Sequence, residues 1–181
     1  MKVLITGIGI TGKSTLRKLL REQKLSRDIL SETGVDIKDF DADYQKIPND
    51  FSEDTIYLIE DVHGTLPKEA VLPLDSYDLI LYVRPSVCLH ILFWVGRMIV
   101  WFKIGQFSWD KNYGWHGTNK PYDFCNIIPI FKVFLRDFRN RKKWISRDLK
   151  RISSFPYVIV CSRWTLRGIK FSIQKNIHHL E

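Results

Sequence analysis

The chain has 181 residues, 45% of them hydrophobic and 13% aromatic, with 28 Lys and Arg against 20 Asp and Glu for a net charge of +8. This composition excludes a disordered or fibrous polypeptide and predicts one domain with a full core, since domains usually run about 100–200 residues. Residues 28–78 hold 14 acids and 3 bases, a balance of −11 that leaves +19 for the remainder. That uneven layout argues against a uniformly basic nucleic-acid coat.

Lys2 to Thr6 (KVLIT) is a short β-branched run that meets a glycine at once, so it predicts a strand and is too short for a secretory signal. Between Lys13 and Lys24, Leu16, Leu19 and Leu20 fall on one helical face. Val35 to Phe40 predicts a second strand, while Thr55 to Ile59 and Asp78 to Val83 are continuous apolar runs suited to strands buried on both faces. Pro85 then opens an apolar stretch, Val87 to Phe102, which carries His90 and Arg97. It falls short of the roughly 20 apolar residues needed to cross a bilayer, so a buried helix is expected. A loop rich in Gly, Asn, Trp and Tyr follows over about 105–125, then a basic helix from Ile130 to Arg151. Pro156 to Cys161 predicts a last strand and Leu166 to Ile177 a closing helix. Strands alternating with helices imply a parallel sheet covered on both faces, with ligands at the carboxyl ends of the strands. Cys88, Cys125 and Cys161 are far apart and odd in number, which fits a reducing compartment, and a cytoplasmic location is expected.

Gly7-Ile8-Gly9-Ile10-Thr11-Gly12-Lys13-Ser14 matches G-x-x-x-x-G-K-[ST] without a gap, directly after a predicted strand and before a predicted helix. Glycines let such a loop wrap a polyphosphate and aim its N–H groups inward, and the helix N-terminus adds a favourable dipole. Residues 7–13, Ser14 and Thr15 are therefore the expected nucleotide contacts. Lys13 would reach the β- and γ-phosphates and the Ser14 hydroxyl would ligate Mg²⁺. Glu60 and Asp61 end the third strand, where a second Mg²⁺ group is expected, and Asp61 is preferred over a turn-capping role for the same residue. Asp41 and Asp43 follow the second strand, where one carboxylate could orient or deprotonate an acceptor hydroxyl and the other hold metal-bound water; a solvated acidic face is the alternative.

Lys132 to Arg151 holds nine bases and two acids, with Phe131, Phe134, Leu135, Phe138, Ile145 and Leu149 at helical spacing, so one face is core and the other basic. Arg136 and Arg139, nearest the preceding loop, are expected to stabilise transferred charge. Phe107, Trp109, Tyr113, Trp115 and Tyr122 cluster with Lys111 and Lys120 in that loop, which is long enough for a lid.

Over roughly residues 1–150 the chain resembles the P-loop small-molecule kinases of the adenylate-kinase-like group, particularly the DNA-topology-modulation and uridine-kinase-like proteins. The resemblance rests on GIGITGKS, on EDVHG after the third strand, on LILYVRPSVCLHILFWVGR, and on GTNKPYDF followed by an Arg-rich helix with Trp144. It implies a three-layer P-loop NTPase fold, with about five parallel strands and a lid after the fourth, and it implies ATP as donor and arginines in or near the lid. The acceptor-side acid would fall on Asp41 or Asp43. The function expected is an ATP- and Mg²⁺-dependent phosphotransferase acting on a small molecule such as a nucleoside or nucleotide. A P-loop GTPase is an alternative, because Asp61-Val62-His63-Gly64 satisfies D-x-x-G and Asn119 to Asp123 approximates N-K-x-D with one residue too many. A nucleotide-dependent nucleic-acid binder using residues 132–151 is another.

Overall fold

The computed structural model describes residues 1–22, 24, 36–41, 50–60, 72–104, 108–110, 114–116 and 127–174. Within them, β1 (Lys2–Thr6), α1 (Lys13–Arg21), β2 (Asp36–Asp41), β3 (Thr55–Glu60), β4 (Leu79–Pro85), α2 (Val87–Ile104), β5 (Ser108–Asp110), β6 (Gly114–His116), α3 (Ile127–Ile152), β7 (Tyr157–Thr165) and β8 (Gly168–Gln174) follow in order.

Six strands form one sheet in the order β2-β3-β1-β4-β7-β8, of which the first five run parallel and β8 pairs antiparallel with β7. The apolar runs explain the centre. All six residues of β3 are buried, as are four of five in β1 and six of seven in β4, as continuous hydrophobic strands require when both sheet faces are covered. Alternation divides their side chains between two cores. Val3, Ile5, Ile56, Leu58, Leu81 and Val83 pack with Leu16 and Leu20 of α1. On the other face Leu4, Ile59, Ile80, Tyr82 and Ile159 pack with Ile145 and Ile152 of α3. The three-layer α/β arrangement expected from the sequence is thus present, with α1 and α3 on opposite faces. β1 lies between β3 and β4, so the chain leaves it toward both edges, and the loop after β1 opens at a topological switch point.

Two expectations are corrected. The described part of the closing segment is a turn at Leu166–Arg167 and the strand Gly168–Gln174, not a helix: Ile169, Phe171 and Ile173 alternate with polar residues and pack against the α1-side core. This period of two decides the conformation because Ile159 to Thr165 offers an edge for pairing. In addition, α2 is half-buried where a buried helix was expected. Leu89, His90 and Trp94 face inward, whereas Leu92, Val95 and Ile99 are exposed. Ser86 caps it, its Oγ accepting from the Leu89 N–H at 3.3 Å. No helix among the described residues is long and apolar enough to cross a membrane. The segment expected to be an irregular loop contains a short antiparallel pair, with Trp109 opposite Trp115; the rest of 105–125 lies outside the described residues.

Candidate phosphate-binding site

Strand β1 ends at Thr6, and the next six residues turn back over the carboxyl edge of the sheet to enter α1 at Lys13. Two glycines make that path possible. At Gly7, φ is 151° and a Cβ would lie 2.6 Å from the Val83 carbonyl oxygen of neighbouring β4. No side chain fits between two backbones at that distance. Gly12, the residue that starts α1, has φ 88°, and a Cβ there would meet the Phe93 ring of α2 at 3.0 Å. Ile10 adopts φ 56°, a left-handed conformation that costs a β-branched residue on the order of 1–3 kcal/mol and is retained mainly where function fixes the backbone.

Lys13 and Ser14 occupy the first turn of α1. The Lys13 ammonium is buried and donates to the Gly7 and Ile8 carbonyls at 3.1 and 3.2 Å, which holds the charge over the loop. Among the described residues no side chain caps the start of α1, and its first turn carries no acid, so its N–H groups and dipole can attract an anion. The Thr11 hydroxyl is buried with no hydrogen-bond partner among the described residues. Each feature suits a polyphosphate lying in the loop.

The acid that meets Ser14 is the one that sequence reasoning ranked second. Ser14 Oγ donates to Glu60 Oε1 at 2.7 Å, and Arg17 Nε lies 3.3 Å from Glu60 Oε2. Glu60 is buried and shares its sheet face with Ile56 and Leu58, the face covered by α1. Strand alternation therefore puts its carboxylate beneath Ser14. Arg17 also approaches Asp39 of β2 at 3.6 Å, and Arg21 pairs with Asp39 at 3.5 Å, so an ionic chain links α1 to both strands. A hydroxyl and a carboxylate are the hard oxygen donors that Mg²⁺ takes from a protein when phosphates supply the rest. The expected partner, Asp61, lies outside the described residues, as does Asp43. Asp41 ends β2 with its backbone in register with Glu60, which places it at the same edge of the sheet.

His90 is a contact that the sequence did not single out. One turn into α2, its Nε2 lies 3.0 Å from the Gly9 carbonyl oxygen, and its ring is buried. A carbonyl can only accept, so Nε2 carries the proton, and Nδ1 is buried with no hydrogen-bond partner among the described residues. Burial and the charges of Arg141 and Lys13 hold the imidazole down to about 4 despite the Gly9 contact, so it is neutral near pH 7. The signal that could have revealed His90 is a polar residue on the inward face of an otherwise apolar helix.

On α3 the expected arginines are placed outward. Arg136 pairs with Asp137 at 3.0 Å and lies over the Trp144 ring at 5.9 Å, and Arg139 is exposed. The base that reaches the sheet is Arg141, whose guanidinium donates to the Pro85 carbonyl at the end of β4. Its charge, with that of Lys13, adds to the effect of burial in lowering the His90 pKa. Both GTPase-like segments lie outside the described residues. Comparisons with protein families, with curated proteins and with solved structures return no match for this chain.

Proposed function

We propose that the chain is an ATP- and Mg²⁺-dependent phosphotransferase acting on a small-molecule acceptor, with nucleosides and nucleotides the first class to test, in a cytoplasmic setting. The observation that carries this reading is the Ser14–Glu60 contact. It adds to the G-x-x-x-x-G-K-[ST] loop an acid from a separate strand, on the side where a nucleotide-bound cation would need it.

In this reading the loop amides from Gly7 to Ser14 and the Lys13 ammonium bind the phosphates, and Thr15 continues the contact surface along α1. Ser14 and Glu60 would hold Mg²⁺, with Asp61 the expected second acid. The cation would neutralise charge on the β- and γ-phosphate oxygens when bound. Neutral His90 fixes the Gly9 carbonyl, which keeps the loop backbone in its binding shape. Asp41 or Asp43 would orient the acceptor, and a base of α3 would meet the transferred charge, with Arg136 and Arg139 the expected residues and Arg141 the one that bonds to the end of β4. An acceptor screen that follows ADP formation from ATP, over nucleosides, nucleotides, sugars and small alcohols, tests the proposal. Acceptor-stimulated ADP release that disappears in Lys13→Ala is the expected result; full activity in that variant would refute the site.

One observation favours a second reading. Arg139, Lys142, Lys143, Arg147, Lys150 and Arg151 are all exposed on α3, a basic surface suited to nucleic acid. Binding to DNA or RNA that weakens steeply with salt would support it.

A further inference from the structure

Arg84 alternates with Ile80 and Tyr82 along β4, so it stands on the face covered by α3, but beyond the apolar core and exposed. Opposite it, α3 presents Arg141 and Lys142. Between the two elements is a cleft of about 270 Å³ lined by Arg84, Arg141, Lys142, Ile145, Ser146 and Leu149. Its charged lining is wholly cationic.

The nearby acids do not offset this charge. Asp148 is engaged by Arg147 at 3.1 Å and by the Tyr82 hydroxyl at 3.4 Å. Asp137 is engaged by Arg136. Among the described residues no carboxylate pairs with Arg84, Arg141 or Lys142. Arg141 is half-buried, and its Nε is buried with no hydrogen-bond partner among the described residues. Burial and the adjacent Arg84 both push its guanidinium below the usual range. Like charges brought together with an unfilled donor are unfavourable by themselves and become favourable around an anion.

We infer that this cleft is a second anion-binding site, which takes the phosphate or carboxylate of a small organic molecule while Ile145 and Leu149 bear its apolar part. The volume is below that of most drug-sized pockets, so it suits a compact monoester or the anionic end of a larger molecule, not a whole dinucleotide. Arg84 and Arg141 supply fork donors for two oxygens, and Ser146 and Lys142 can complete the set. The cleft opens at the same end of the sheet as the phosphate loop, since Arg84 directly follows Val83, whose carbonyl faces Gly7. Its occupant is therefore the acceptor, a role that rests on the phosphotransfer reading; the anion site itself does not depend on it.

Phenyl phosphate is a suitable probe, because it joins a dianion to an apolar ring. Calorimetric titration of the whole chain is expected to show saturable binding, tighter than that of inorganic phosphate. Arg84→Gln and Lys142→Gln, both at exposed positions, should each weaken it about tenfold, as expected for a charge-assisted contact. Binding of a fluorescent ATP analogue should change less than twofold in these variants, which also checks that they fold. Lys13→Ala should abolish analogue binding and leave phenyl phosphate bound. Absence of saturable phenyl phosphate binding would overturn the proposal, as would binding unmoved by both glutamine variants or binding lost in Lys13→Ala. If a single-stranded oligonucleotide displaced the probe with a steep salt dependence, the cleft would belong to a nucleic-acid surface and the proposal would fail. Phenyl phosphate binding with no analogue binding by the wild-type chain would uphold the anion site and refute the phosphotransfer reading.

Discussion

Acidification should loosen the packing of α2 on the phosphate loop through His90. The neutral ring donates from Nε2 to the Gly9 carbonyl, and a proton added at Nδ1 would enter a buried position with no acceptor among the described residues, against the charges of Arg141 on α3 and Lys13 on α1. The folded value of about 4 lies below the ordinary 6.5, so between these limits the unfolded chain binds the extra proton. Stability contributed by the neutral ring is then complete above pH 6.5 and is lost as pH falls toward 4. Linkage gives a loss of about 2 kcal/mol at pH 5 and about 3 kcal/mol at pH 4. Urea unfolding at pH 7 and pH 5, compared between wild type and His90→Gln, isolates this contribution from the titration of the carboxylates. The glutamine amide can keep a donor toward Gly9 but takes up no proton, so the variant should lose about 2 kcal/mol less between the two pH values. An equal loss in both proteins would refute the argument, as would a His90 titration by NMR near 6.5 in the folded state.

Gly7→Ala and Gly12→Ala should differ in severity although both alter the same loop. The first forces a Cβ against backbone and should cost more than about 3 kcal/mol, whereas the second strains φ by about 1–2 kcal/mol and meets only a movable Phe93 ring, so Phe93→Leu should recover part of its loss in denaturant titrations. Glu60→Gln should leave nucleotide binding in place but raise the Mg²⁺ concentration needed for half-maximal transfer by roughly 10- to 100-fold, and an unchanged Mg²⁺ requirement would remove Glu60 from the metal side. Arg141→Gln should impair the chain more than Arg139→Gln in both stability and transfer, because only Arg141 bonds to the end of β4; equal effects on thermal unfolding and rate would count against that distinction.

Much of the fold was legible because the central strands are unambiguous. Runs such as Leu4-Ile5, Ile56 to Ile59 and Leu79 to Val83 have no polar alternation, and only a sheet covered on both faces buries them. Residues 168–174 were less clear because their few apolar residues also fit the closing helix expected there. Pairing with the β7 edge selected the extended form. Adjacent acids such as Glu60 and Asp61 look equivalent in sequence, and the sheet adds that Glu60 lies on the α1 face and meets Ser14, while Asp61 lies outside the described residues.

The course of the loop between β1 and α1 was readable in the residues themselves, since glycines at both ends of a six-residue turn, followed by Lys13 and Ser14 on a helix, are a local requirement that local residues meet. So was the layered α/β class, which follows from apolar period and run length. What surrounds the loop depends on the three-dimensional packing. His90 and Phe93 reach it from a helix more than 70 residues away, Glu60 reaches it from β3, and Arg141, instead of Arg136 or Arg139, is the base of α3 that meets the sheet. These contacts depend on strand parity and helix phase in three dimensions, where one residue along a strand reverses the face and one along a helix turns the side chain by about 100°.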